Sequence, residues 1–382
     1  MCVGKKFRKR YNLQDHNELS LAKLEFVSAM NNKVRKTVRY IFLFLLAAVL
    51  IFFAFREVRW AEFKAALKAC SWGWIAASMF FGVMSFIFRG LRWRRLLLPI
   101  DPATSFRTCF NAVNISYAVN LVLPRVGEFA RCGFVTARSA PDPSENGRRI
   151  ASFDKVLGTA ALERSSDLVA MASILGIFLV ATWGRFGAFF MDKVLGTVAT
   201  GFDFSSLWIL AAAILCVGIF ICFCALFRSR LSFLEKIIGF CKGLWQGFVS
   251  CVKMDKGWLF LLQTAFVWVS YWLMSYSVLH AVQGMDTAAI PEAMASCVEN
   301  LSGLGPVDAL FLMLVGSLSS ILPVPGGFGA FHFMVAGAIS YVYGVPFEFG
   351  MIFATLSHES QALLQAVCGG LSYLDESVRQ TE

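Results

Sequence analysis

Apolar runs of about twenty residues recur along this chain, at about 37 to 56, 72 to 89, 156 to 183, 206 to 227, 257 to 281 and 348 to 374. A helix needs roughly that length to cross the ~30 Å hydrocarbon core of a bilayer. Hydrocarbon offers no partner to a bare backbone, so each such run closes its own hydrogen bonds as a helix. Composition points the same way: 57% of the residues are hydrophobic, 15% aromatic and only 16% charged. That is more apolar surface than a soluble core of this size can hide. The expected fold class is all-α, a polytopic membrane protein.

Charge then reports orientation. The net charge of +10 could suggest nucleic acid, but the basic residues gather at the ends of apolar runs, as the cytoplasmic bias of lysine and arginine requires. No nucleic-acid partner is expected. Residues 1 to 36 form a basic N-terminal extension, with Lys5, Lys6, Arg8, Lys9, Arg10, Lys33, Arg35 and Lys36. It places the N-terminus in the cytoplasm and shows no signal-peptide cleavage pattern. Met30 suggests that residues 1 to 29 are dispensable. The membrane domain is expected over 37 to 376 and a short cytoplasmic tail over 377 to 382, in a multi-pass protein of the cell (inner) membrane. The eleven cysteines have no spacing that reads as a disulfide framework or a zinc site.

Two short stretches break this pattern. Residues 120 to 131 and 321 to 331 align without a gap, with Leu123, Pro124, Gly127 and Phe129 over Leu322, Pro323, Gly326 and Phe328. The second copy adds Pro325 and Gly327. Both interrupt helix at a depth where irregular backbone survives only beside protein or water. If 105 to 123 crossed fully, the next loop, with Arg125, Arg131, Arg138, Arg148, Arg149 and Lys155, would lie outside, against the charge bias. A hairpin over 105 to 139 that enters from the cytoplasm and returns removes the conflict. From Gly257 to Val378 there is no lysine or arginine, so a second hairpin over 306 to 344 is expected to enter from outside. About six full spans and two re-entrant helical hairpins would make an inverted repeat, an arrangement that points to a binding site at the repeat interface.

Other charged groups are read by position. Arg89, Arg92, Arg94 and Arg95, with Trp93 among them, end the second run and are expected at the cytoplasmic surface. Glu163 and Asp167 stand four residues apart on one helix face, with Arg164 beside them. Residues 228 to 256 alternate basic and apolar groups, as an interfacial helix on anionic lipid would, or a connector packed on the protein.

On Arg89-x-x-Arg92-Trp93, Asn120-x-x-Leu123-Pro124-Arg125-x-Gly127-Glu128-x-x-Arg131, Glu163-Arg164-x-x-Asp167 and Pro323-x-Pro325-Gly326-Gly327-x-Gly329, the chain resembles the flippase-like transmembrane domain of the lysylphosphatidylglycerol synthase family, over roughly 35 to 375. The resemblance implies a helical membrane domain that moves lipids between leaflets. The family often has an acidic residue where this chain has His332 and a basic one where it has His358-Glu359. Bifunctional members continue into a soluble aminoacyl-transferase domain, whereas this chain stops at Glu382, so it is not expected to make an aminoacylated lipid.

A charged lipid head needs replacement contacts on the way across. Arginine supplies them through a planar fork that stays charged when desolvated. Arg125, Arg131 and Arg164 are the candidate headgroup contacts, with Glu128, Glu163 and Asp167 as charge partners. Pro124, Gly127, Pro323, Pro325, Gly326 and Gly327 are the helix-breaking turns, and helix starts beyond them would offer amides to an anion. His332, His358 and Glu359 are second-half polar candidates, read as interior hydrogen-bonded groups; no metal ligand, catalytic residue or cofactor is assigned. The partner expected is a phospholipid or a polyprenyl-phosphate-linked lipid, with a homodimer or a partner membrane enzyme compatible. Alternatives are an accessory subunit or intramembrane enzyme of a glycosyl- or acyltransferase pathway, and a solute or ion transporter.

Overall fold

The computed structural model describes residues 60–143, 149–196, 232–249, 254, 256–320, 322 and 324–381. The apolar runs at 37–56 and 206–227, the basic extension and Pro323 lie outside the described residues. Every regular element among those described is helical. In chain order the α-helices are α1 (Trp60–Ala69), α2 (Trp72–Leu97), α3 (Phe106–Val122), α4 (Val126–Arg138), α5 (Phe153–Phe189), α6 (Ser232–Phe248), α7 (Gly257–Gln283), α8 (Glu292–Leu301), α9 (Pro306–Ser319), α10 (Ala330–Tyr343) and α11 (Phe347–Thr381).

Helix starts follow local chemistry. The Ser105 hydroxyl accepts from the Thr108 amide at 3.1 Å and opens α3. Pro306 takes the first turn of α9, where its missing N–H costs nothing, and Asp308 accepts from the Gly305 amide at 2.9 Å. Three described helices are long and apolar enough to cross a membrane: α2, α5 with its continuation to Lys193, and α7; α8 and α9 together pass the same test but are bent by 105°. α11 is 35 residues long yet is not among them; its middle carries His358, Glu359, Gln361 and Gln365.

α2 and α7 run antiparallel, with Trp74 stacked on His280 at one end, Phe88 on Phe266 midway and Arg95 donating to Gln263 near the other. The apolar core has two parts. One surrounds Phe178, Phe186, Phe311 and Ile352; the other surrounds Trp93, Leu97, Val113, Val135 and Val156. The first lies toward the end that carries Asp286, Glu292 and Asp308, the second toward the end that carries Arg94, Arg138 and Lys155.

The two interrupted segments form helical hairpins with the expected boundaries, α3–α4 and α9–α10. At 1.5 Å per residue their arms are about 20 to 26 Å long, shorter than the ~30 Å hydrocarbon core. α11 serves both as a common spine. Toward its C-terminus, Asn111 of α3 donates to Asp375 and Glu376 at 2.7 and 2.9 Å, and Asn114 to Ser372 at 3.1 Å. Arg138, at the end of α4, pairs with Glu376 at 2.6 Å. Toward its N-terminus, Phe333 of α10 meets Phe347, and Gly350 sits so close to Ala336 that an added Cβ would lie 2.8 Å from its Cα. The hairpins therefore cover opposite halves of α11, and their tips meet near its middle.

The tips differ in register from the gapless sequence alignment. Pro124 is followed by Arg125 in the left-handed region at φ 63°, and Pro325 by Gly326 at φ 57°. By backbone conformation Pro124-Arg125 thus corresponds to Pro325-Gly326, two residues away from the pairing with Pro323. α6 lies against the start of α5, where Gly158 faces Gly247 and the carbonyl of Leu244, so it is packed on the protein; Phe240 and Trp245 remain exposed.

At Gly127 a Cβ would lie 2.0 Å from the Ser116 carbonyl oxygen, whereas at Gly133 it would meet nothing within 4 Å. Gly127→Ala is expected to cost about 2 kcal/mol through forced separation of the hairpin arms and to lower the thermal unfolding midpoint in detergent. Gly133→Ala should leave that midpoint unchanged or raise it, by up to about 1 kcal/mol of helix propensity.

Candidate functional site

Two polar clusters and a hollow occupy the middle of the molecule. The first cluster centres on Glu163, whose side chain is fully buried. α5 presents it about ten residues, or ~15 Å, from the helix start. Arg92 of α2 reaches it at 2.9 Å, Arg89 at 3.4 Å and Arg131 of α4 at 2.6 Å. One turn further along α5, Asp167 pairs with Arg92 at 2.6 Å and with Arg89 at 3.1 Å. Glu128 pairs with Arg131 at 2.6 Å and with the half-exposed Arg164. Aromatic and hydroxyl groups complete the surroundings. The Arg131 guanidinium lies 4.5 Å from the Trp93 ring centroid, Arg89 donates to the Tyr271 hydroxyl at 2.7 Å and Arg92 to Thr264 at 3.3 Å.

Four guanidinium groups against three carboxylates leave one formal positive charge. An isolated ion at this depth is costly and persists only in such company. Glu163 thereby joins α2, α4 and α5. Arg89 and Arg92, expected at the cytoplasmic end of the second run, are buried side chains on a helix that runs on to Leu97.

The hollow lies where the hairpin tips meet. It has a volume of about 300 Å³ and is lined by Asn120, Pro124 and Arg125 from the first tip, by Ser319, Ser320, Gly326 and Gly327 from the second, and by His358 and Gln365 of α11. A second hollow of about 290 Å³ shares Gly316, Phe331, His358 and Gln365 with it and extends between α7, α9 and α11 past Tyr271 and Ser275. The first tip is held by Asn120, whose side-chain oxygen accepts from the Gly127 amide at 2.8 Å.

The three candidate arginines separate here. Arg125 lines the hollow. Arg131 is buried and turned into the ionic cluster, and Arg164 pairs with Glu128 outside the hollow. Glu128, Glu163 and Asp167 come together as charge partners. Of the turn residues, Pro124, Gly326 and Gly327 line the hollow, Pro325 is buried behind them, and Gly127 sits in the first turn of α4 against α3.

The second cluster joins residues the sequence kept apart. His332 of α10 is buried, and its Nε2 lies 3.1 Å from Glu359 Oε1. His358 Nδ1 lies 3.3 Å from the same oxygen, while its Nε2 is 2.8 Å from the Gly326 carbonyl oxygen. Phe328 and Phe331 pack on the His358 ring.

Sequence reasoning missed Asn120 as the clasp of the first turn and Arg89 and Arg92 as partners of Glu163. The available signal was that Arg89 and Arg92, at i and i+3, share one helix face, as Glu163 and Asp167 do at i and i+4.

The family described as lysylphosphatidylglycerol synthase TM region matches residues 40–369. No curated protein matches the chain.

Removing the charge at the centre of the first cluster leaves three buried guanidinium groups without their common partner. Glu163→Gln is expected to destabilise the protein by about 3 to 5 kcal/mol, seen as loss of the monodisperse peak in size-exclusion chromatography. Adding Arg131→Met should cost less than the sum of the two single changes. Arg107→Ala, which breaks the exposed pair with Asp375, should change stability by less than about 1 kcal/mol.

Proposed function

The chain belongs to the lysylphosphatidylglycerol synthase TM region family, and from that premise we propose that it is a flippase-like lipid translocase. It passes the charged head of a phospholipid or a lipid-linked precursor between leaflets, with no chemical step of its own. The observation that carries this reading is the hollow between the two hairpin tips, with the Arg125 guanidinium on one side and serine, glutamine and histidine groups on the other.

In this reading the hairpins are re-entrant. Arms of 13 to 17 residues are too short to cross comfortably, and they lie on opposite halves of α11. The end rich in arginine and lysine faces the cytoplasm, with both chain termini, as the distribution of positive charge favours. A lipid head would enter beside one hairpin, meet Arg125 midway and leave beside the other, its acyl chains staying among the apolar helix faces. The buried ionic cluster supports the site without touching the lipid: it fixes α4, and so the turn that presents Arg125.

Arg125 also bears a backbone cost. A non-glycine residue at φ 63° forgoes about 1 to 2 kcal/mol relative to ordinary helix geometry. That cost is understandable where a side chain is required at a turn that glycine would make more easily.

Arg125→Gly separates the two effects. It is expected to keep or raise the thermal midpoint while slowing translocation of a fluorescent phospholipid by roughly tenfold or more, the loss of one charge-assisted contact of about 1.5 to 3 kcal/mol. The assay is leaflet-specific quenching in proteoliposomes. Arg125→Lys should fall between wild type and Arg125→Gly, since a point charge replaces a fork. Unchanged flipping in Arg125→Gly would remove the hollow from the transport path.

A further inference from the structure

The geometry points to a divalent metal site built from His332, His358 and Glu359, with an open coordination position facing the hollow. The argument begins with the tautomer of His358. Its Nε2 lies 2.8 Å from the carbonyl oxygen of Gly326. A carbonyl only accepts, so Nε2 carries the hydrogen. A neutral ring then has a bare lone pair at Nδ1, and Nδ1 points at Glu359 Oε1, 3.3 Å away. Two lone pairs at that distance repel unless a cation lies between them.

A proton on Nδ1 would satisfy that one contact. The second contact, in which His332 Nε2 approaches the same oxygen at 3.1 Å, has a length that fits either an Nε2–H donating to the carboxylate or two ligands of one ion. A divalent ion satisfies all three groups at once. One ligand atom from each of the three lies within 4.8 Å of the others. In a tetrahedral site with bonds of about 2.0 to 2.1 Å, ligand atoms stand roughly 3.3 Å apart, close to both measured separations. The separation of the two imidazoles, within 4.8 Å, would close by a small movement of the rings on binding.

The outer contacts have the form that metal sites use. A ligating histidine commonly donates its other ring N–H to a backbone carbonyl, which fixes tautomer and orientation. Here that carbonyl belongs to the Pro325-Gly326-Gly327 turn, and the positive φ of Gly326 is the backbone conformation of the residue that offers it. Phe328 and Phe331 pack on His358 at 4.8 and 5.2 Å between ring centroids, which lowers the local dielectric and strengthens binding of an ion. Two imidazoles and one carboxylate suit zinc among the common divalent ions and leave a fourth position. His358 lines both hollows, so that position opens where a phosphate oxygen can reach it. The phosphate part rests on the translocation reading; the metal site itself does not.

The test uses the full chain in detergent with Co²⁺ as a spectroscopic stand-in for zinc. The expected result is one Co²⁺ per chain, with visible d–d bands and without the charge-transfer band that the cysteines would add. Affinity should fall at least tenfold in Glu359→Gln and further in His332→Gln/His358→Gln. Equal binding by wild type and the double variant, or a thiolate band at stoichiometric metal, overturns the site. Glu359→Gln changes a half-exposed side chain by one atom, so its elution profile and thermal midpoint check that lost binding is not lost folding. Inorganic phosphate and short-chain phosphatidylglycerol are then added separately to the Co²⁺ form. A spectral change with the lipid alone identifies a lipid headgroup as the fourth ligand, and a change with both identifies phosphate in general. No change with either overturns the open position. Arg125→Gly should leave the Co²⁺ spectrum intact, so failure of the transport reading and failure of the metal site are told apart.

Discussion

Glu163 is the group on which the first half of this structure depends. A carboxylate with no solvent contact is tolerable only if cations follow it inward, and three do, from two different helices. Each partner loses most of its hydration as well, so the cluster gives little net stability while making any other arrangement of α2, α4 and α5 very costly. Its value is therefore in fixing position. α4 is short, amphipathic and joined to α3 by a three-residue turn, and Arg131 and Glu128 tie it to α5. That tie acts together with the Asn120 clasp and the Arg138–Glu376 pair to hold the turn at Pro124 where it stands.

The second hairpin is secured by different means. α9 is anchored at its start by Asp308, which pairs with Arg185 at 2.7 Å and accepts from the Tyr343 hydroxyl at 2.9 Å. Its body packs through Phe311 against Phe178, Phe186 and Phe189. Only at the tip does polarity return, through the backbone of Gly326 and the two histidines. The two halves thus reach a similar shape, a short hairpin with its tip at the middle of α11, the first held by a buried cluster of ions and the second by aromatic packing with one ion pair at the start of α9. The turns share a sequence motif that is shifted by two residues in backbone conformation.

Much of the fold was legible because it follows from local rules. Proline and glycine mark the hairpin tips, and the missing basic residues after Gly257 separate the two ends. The boundaries of both hairpins follow from these signals alone. The positions of Arg89 and Arg92 did not, and the reason is physical. A row of arginines at the end of an apolar run looks the same whether it lies in water or has carboxylates waiting inside. Here the carboxylates are on α5, more than seventy residues away, and only packing reveals them. The His332 cluster was hidden for the same reason. Its members are 26 and 27 residues apart in the chain, and the carbonyl that orients His358 belongs to a glycine with no side chain to read.

These differences meet in the hollow. On the translocation reading, a phosphate entering from the end rich in arginine would meet a guanidinium carried on the first turn. Beyond it, residues 257–378 contribute no lysine or arginine, and Glu359 alone would repel the same anion. If the first tip alone attracted the phosphate, the head would be held on one side and the barrier moved to the other. A passage that works requires comparable attraction from both tips, so that neither becomes a trap. In the second half that attraction would come from the serine, glutamine and histidine groups that line the hollow or from an ion that the histidines hold. The absence of lysine and arginine along 257–378, read first as a sign of orientation, would on that reading also leave the polar groups of the second tip to govern how an anion leaves the hollow.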